Sequence, residues 1–167
     1  MKKRVVSLFL LLFLGFSLIG CGDSGVFTHC ELSIPLDESF REKESDSFDL
    51  LISDGQVAVG VTRLSFIAAL NQGISDTYTA KGFAAFFMHE SGKSDKLDVY
   101  EDVPYYTYTE QGENTEMFYT AAFYRSMNAY FIVIFGCPAD LSDERAEDML
   151  KYAAGAYFND APVINEN

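Results

Sequence analysis

The seven residues Ala129-Tyr130-Phe131-Ile132-Val133-Ile134-Phe135 constrain this chain more than any other segment. Successive side chains of a strand point to opposite faces, and here both faces are apolar. A strand with one solvated face alternates apolar and polar residues, whereas one apolar on both sides must be covered on both sides. The run therefore predicts a central strand with packing layers above and below it.

The rest of the chain supplies candidate neighbours. Thr28 to Pro35 alternates, with Cys30, Leu32 and Ile34 on one face, and reads as a strand. Leu36 to Asp46 is charged and turn-like. Asp54-Gly55 is the strongest hairpin signal, between strands over Ser47–Ser53 and Gln56–Arg63, where Val57, Val59 and Val61 share a face. Leu64 to Leu70 begins a short helix ending near Gly73. Ser75 or Asp76 can cap a second, running to about Glu90, with Ala80, Phe83, Ala84 and Phe87 on one stripe and Gly92 just past its end. Four strands follow over Lys96–Glu101, Tyr105–Thr109, Glu116–Arg125 and Ala129–Phe135. Pro138 ends the sheet, and Asp140 or Ser142 opens a last helix. Asp143 and Glu144 favour the positive end of its dipole, and Ala146, Met149, Leu150, Ala153 and Tyr157 form its apolar stripe. No internal repeat interrupts this order. It predicts one α+β domain over residues 28–159, a single antiparallel β-sheet flanked by helices, followed by a polar tail over 160–167 that frays.

Three segments carry a likeness to a known fold: Cys30-Glu31-Leu32-Ser33-Ile34-Pro35, Asp102-Val103-Pro104-Tyr105-Tyr106 and the strand-to-helix run Tyr130 to Leu141. Together with the element order from Cys30 to Phe158, they make the domain resemble the Mog1/PsbP-like fold, an α-β-α sandwich with an early hairpin, a helix, a meander and a closing helix. The resemblance implies a binding or assembly module rather than an enzyme.

The first twenty residues are of another kind. Lys2, Lys3 and Arg4 precede an apolar run from Val5 to Ile19 broken by Ser7, Gly15 and Ser17, the pattern of a secretory signal. An uncleaved membrane anchor is the alternative. Val5 to Gly20 makes roughly 24 Å of helix, however, against a hydrocarbon core of about 30 Å. Leu18-Ile19-Gly20-Cys21, at the end of that run, resembles the lipobox of bacterial lipoproteins. The resemblance implies cleavage before Cys21 and a diacylglyceryl thioether on its sulfur. Residues 1–20 then form a lipoprotein signal peptide and residues 21–27 a short tether at the extracytoplasmic face of the cell membrane. Two acyl chains anchor stably where one is marginal, each buried methylene contributing about 0.8 kcal/mol.

Charge narrows the partners. The part after residue 20 keeps all 25 Asp and Glu but only nine of the twelve Lys and Arg, a formal net charge of −16. Nucleic acid is disfavoured, because its affinity rests on cationic contacts to phosphate. A cationic partner is admissible, as is a merely solvating acidic surface. Cys30 and Cys137 remain after Cys21 is lipidated, in a compartment that permits disulfides. A bridge between them would contribute somewhat under about 5 kcal/mol in the chain-entropy model, and two separate buried thiols are the other reading.

Ten Tyr and fifteen Phe accompany a complete lack of Trp. Tyr105, Tyr106 and Tyr108 crowd one strand beside Tyr100, Tyr119 and Tyr124. They are the candidate binding residues, an exposed ledge on which Tyr106 and Tyr108 share a face and Tyr105 looks the other way. Ordinary cross-strand aromatic pairing is the competing reading. Catalysis has less to stand on. There is no Gly-x-Ser-x-Gly elbow, phosphate loop, dinucleotide fingerprint or EF-hand pattern, and no cofactor is expected. No metal site is expected either, since His29 and His89 lack ligand-like spacing. His89 reads as a solvated last-turn histidine, and acid pairs such as Asp37-Glu38 and Glu101-Asp102 are the scatter of an acidic chain. Two functions remain: a non-enzymatic envelope lipoprotein that binds a protein or cell-wall component or assists assembly, and an envelope hydrolase with a carboxylate cleft.

Lipid attachment is directly testable. Cys21→Ser removes the acceptor sulfur, so metabolic labelling with a radioactive fatty acid should mark the parent chain and not the variant. Equal label on both would contradict attachment at Cys21.

Overall fold

A computed structural model describes residues 25–112 and 114–159. The expected signal peptide over 1–20, the expected lipid acceptor Cys21 and the tail over 160–167 lie outside the described residues. In chain order the strands are β1 (Val26–His29), β2 (Leu32–Pro35), β3 (Arg41–Lys43), β4 (Leu50–Ser53), β5 (Ala58–Ser65), β6 (Asp98–Tyr100), β7 (Val103–Gln111), β8 (Glu116–Arg125), β9 (Ala129–Pro138) and β10 (Tyr157–Phe158). The helices are α1 (Phe66–Asn71), α2 (Ala80–Ser91) and α3 (Ser142–Gly155), the last entered through a 3-10 turn at Ala139–Leu141.

β9 occupies the middle of a seven-stranded antiparallel sheet ordered β3-β4-β5-β9-β8-β7-β6. Its side chains divide by parity. Ala129, Phe131, Val133, Phe135 and Cys137 enter one core with Leu32, Ile34, Ile52, Val59, Val61, Met149 and Ala153. Tyr130, Ile132 and Ile134 enter a second core with Phe83, Ala84, Ala121 and Phe123. Every residue from Ala129 to Cys137 is buried. At about 1.5–3 kcal/mol for each fully buried large apolar side chain, this strand contributes more apolar burial than any edge strand can.

One hydroxyl on each face ties a covering layer to the sheet. Tyr124 of β8 donates to the Ala153 carbonyl of α3 at 2.8 Å. Tyr130 of β9 donates to the Ser75 carbonyl at 2.8 Å, with the Tyr78 carbonyl at 3.0 Å, and so holds the segment before α2. Local chemistry ends the helices. Ser65 caps α1 by accepting from Ala68 N–H at 3.2 Å, and Gly92 closes α2 with φ 63°, a left-handed conformation that a glycine adopts freely. The β4–β5 turn follows its Asp-Gly signal: Gly55 has φ 97°, and the Asp54 carboxylate accepts from the N–H groups of Gln56 and Val57.

The single-sheet α+β expectation is corrected. The domain is mostly β and contains two antiparallel sheets, of seven and three strands, the smaller ordered β1-β2-β10. Two local facts produce the second sheet. The segment that reads as one alternating strand is in fact a hairpin, in which His29 pairs with Leu32 across the two-residue turn Cys30-Glu31 and Cys30 takes φ 52°. The chain after α3 then returns as a strand of only two residues, Tyr157 and Phe158, opposite Ser33 and Leu32. Strand pairing therefore starts at Val26, inside the stretch assigned to the tether. Cys30 is exposed at the turn, not aligned with Leu32 and Ile34, and Tyr157 leaves the α3 stripe to join the small sheet. Thr79, rather than Ser75 or Asp76, caps α2, accepting from Gly82 N–H at 3.1 Å.

Candidate functional site

Alternation along β7 sorts its tyrosines. Tyr106 and Tyr108 point toward α2, and Tyr105 points to the face that carries α3. Tyr106 is 1% and Tyr108 7% exposed, so neither is available to a partner, and the expected exposed ledge does not form. The reason is α2, which packs on β7 and β8 and covers that face. Beneath it, Tyr108 stacks on Tyr119 at 4.9 Å, and Tyr106 lies 5.6 Å from Phe123. Gly136 stands opposite Tyr119, where a Cβ would come within 2.8 Å of the ring, so the cross-strand glycine makes room for the stack. The Lys93 ammonium lies 4.8 Å from the Tyr108 ring centroid and pairs with Glu110 at the margin of this cluster. Burial pushes the Tyr106 and Tyr108 phenols well up. Burial first, and the Glu110 charge second, push Tyr119 up to about 12. These phenols stay protonated at every physiological pH and serve as core.

Tyr105 has the other fate. It is half-buried, opposite Ala122 on one side and Asp98 on the other. On the same face, Thr107 and Thr109 are exposed and Phe118 is half-buried, with α3 packed mainly on β2, β8 and β9. Thr120, beside Thr107, is buried, and its hydroxyl has no hydrogen-bond partner among the described residues. Lys96 and Asp98 form a 2.6 Å ion pair at the edge. An open strip of sheet results, with a tyrosine and a phenylalanine at its base and two threonines facing solvent. It can present contact area and hydroxyls to a partner. Parity along β7 could have separated Tyr105 from Tyr106 and Tyr108. What the sequence lacked was any sign of which face α2 covers.

A second polar cluster lies at the end of the sheet where β9 begins. Arg63 Nε reaches Glu31 at 3.3 Å, Arg63 Nη2 donates to Asn128 at 3.0 Å, and Ser126 donates to Glu31 at 2.8 Å. Partial burial raises the Glu31 carboxyl, but the bonds from Ser126 and Arg63 outweigh it and hold the group below the usual carboxylate range. His29 Nε2 stands 3.9 Å from Asp49 and 3.6 Å from Cys30 Sγ. Both neighbours approach the same ring nitrogen, whereas a proton relay needs one on each nitrogen. The arrangement is therefore not a catalytic triad.

Cys30 and Cys137 are both free thiols, one exposed and one buried. Cys30 sits beside the start of β9 through Glu31 and Ser126. Cys137 lies at the far end of that strand, roughly 27 Å along it at 3.3 Å per residue, and a disulfide needs Cα atoms within about 7 Å. The proposed bridge does not form. His89 is exposed beside Glu90 at the end of α2. Among the described residues, no three His, Cys, Asp or Glu side chains are placed to hold a metal, and no helix is long and apolar enough to cross a membrane. Glu101 and Asp102 instead form a tight β6–β7 turn, with φ 46° and 70°.

No protein-family model matches the chain, and no curated protein matches it significantly. Solved structures do. A protein of Bacteroides thetaiotaomicron VPI-5482 aligns with TM-score 0.59 and 13% identity over 82% of this chain. That alignment takes up 49% of the Bacteroides protein, so this chain spans about half its length. Cyanobacterial PsbP (CyanoP) from Synechocystis sp. PCC 6803 aligns with TM-score 0.50 and 11% identity, covering 86% of this chain and 98% of that one. At such identities the likeness is one of fold, and it places the PsbP-like fold among the domain's structural neighbours.

The two faces of β7 should respond differently to truncation. Tyr108→Ala should cost about 3–5 kcal/mol, as large buried aromatics do. Thr107→Ala, one residue away, should stay within about 0.5 kcal/mol. Chemical denaturation of the two variants decides, and equal losses would contradict this assignment of faces.

Proposed function

We propose that the protein is a lipid-anchored extracytoplasmic module that binds a protein or cell-wall partner, or helps assemble a membrane complex, without turning over a substrate. The carrying observation is the open strip on the α3 side of β7, where Tyr105, Thr107, Thr109 and Phe118 remain available on a rigid sheet. Rigid aromatic and hydroxyl side chains on a preformed surface lose little entropy on binding. The PsbP-like fold is compatible with this reading but does not carry it, because one fold hosts many functions. The lipobox at Leu18-Ile19-Gly20-Cys21 supports the address. The hydrolase reading gains nothing from the structure, which spreads Asp37-Glu38 and Glu101-Asp102 over separate exposed turns.

Photocrosslinking in the native envelope tests the strip. A photoreactive amino acid at Thr107 or Thr109 should give a discrete adduct, and the same probe at Glu144, exposed on the first turn of α3, should give none. No adduct at the strip, or the same adduct at all three positions, would overturn the assignment.

A further inference from the structure

Four large apolar side chains are exposed at one end of the molecule. Met127, at the tip of the β8–β9 turn, is 94% exposed, and Ile67 and Leu70, three residues apart on α1, are 77% and 53% exposed. Phe158 of β10 is 38% exposed, its ring 5.8 Å from Phe131. The backbone brings them to a common end. Phe66 N–H donates to the Asn128 carbonyl at 2.9 Å, Ser65 pairs with Ala129, and Asn159 N–H bonds the Glu31 carbonyl beside Ser126. Single exposed apolar residues are ordinary, but several gathered at one tip point to an interaction surface.

Charge says what kind. In a chain with 25 Asp and Glu, the two segments that carry Met127, Ile67 and Leu70, residues 63–75 and 125–130, contain none, and each begins with an Arg. Of the acids around them, Glu31 pairs with Arg63 and Asp49 accepts from the Arg63 backbone N–H at 2.7 Å, while Glu101 and Asp102, exposed in the β6–β7 turn, border the same end of the sheet beside Arg125. Arg125 lies 5.0 Å from the Phe66 ring centroid and donates to the carbonyl of Asp76, the first acid after α1. The β8–β9 turn and α1 thus present apolar side chains flanked by two Arg, with no acid of their own. Side chains of this kind enter the headgroup region of a bilayer, apolar atoms inward and guanidinium groups at the interface.

The tether is long enough for this. Five peptide steps separate Cys21 from Val26, at most about 18 Å of chain. From Val26, β1 runs about 10 Å toward the Cys30-Glu31 turn, which lies at the same end as Met127. A lipid on Cys21 can therefore enter the bilayer while Met127, Ile67, Leu70 and Phe158 touch its surface.

We propose that these four side chains form a membrane-contacting tip, which seats the anchored domain on the outer bilayer surface in one orientation and turns the opposite end of the sheet away. The proposal rests on the lipid-anchor reading and adds to it a defined membrane face.

The chain has no Trp, so a single introduced Trp is an unambiguous reporter. The full-length lipidated protein, purified from membranes, would carry Met127→Trp or, at the far hairpin, Gln111→Trp, and would be reconstituted into phosphatidylcholine vesicles. Both positions are exposed, so neither change disturbs the core. With both proteins floating with the vesicles, Met127→Trp should show blue-shifted emission and lose most of its intensity to brominated phosphatidylcholine, while Gln111→Trp should show neither effect. Flotation with both reporters unquenched, or with both equally quenched, would overturn the membrane-contacting tip and leave the anchor standing. Failure to float would overturn the anchor, and the tip with it.

Discussion

Burial of β9 on both faces is the condition on which the rest of the domain depends. A strand apolar above and below cannot lie at an edge or face water on either side. It needs β5 and β8 as hydrogen-bonded neighbours and a separate layer over each face. The layers differ in kind: α1 and α2 serve one face, and α3 with the small β1-β2-β10 sheet serves the other. Tyr130 and Tyr124 fasten these covers through hydroxyls that donate to backbone carbonyls, where a purely apolar contact could slide.

The unequal reach of the covers then decides which surfaces are free. Because α2 extends over β7, Tyr106, Tyr108 and Tyr119 become a stacked core with phenols held protonated. Because α3 packs mainly on β2, β8 and β9, the other face of β7 stays open around Thr107 and Thr109. At the end where β9 begins, the β8–β9 turn and α1 carry exposed apolar side chains and no acids. A domain with three distinct surfaces follows: a sealed helical face, an open strip of sheet and a proposed membrane tip.

Much of this order was legible in the sequence where patterns are long or turns carry strong signals. Ala129 to Phe135 identified the central strand, Asp54-Gly55 the hairpin, and Gly92 the end of α2. Short-range ambiguity hid the rest. Thr28 to Pro35 alternates as one strand would, and nothing in the residues marks Cys30-Glu31 as a two-residue turn. Tyr157-Phe158 is too short to read as a strand, so the second sheet could not be foreseen. The tyrosines of β7 could be sorted by parity, but which parity is covered depends on where a helix some fifteen residues earlier comes to rest. Tertiary packing of that kind leaves no local trace.

Native-state hydrogen exchange tests the primacy of β9 most directly, because it reports local opening free energies along the chain. Amides of β9 and of the inward-paired edges of β5 and β8 should exchange slowest and together, at the rate of global unfolding. Those of the peripheral strands β6 and β10 should exchange well before them. Exchange of β9 amides as early as those of β6 or β10 would contradict the claim that a doubly buried central strand organises this domain.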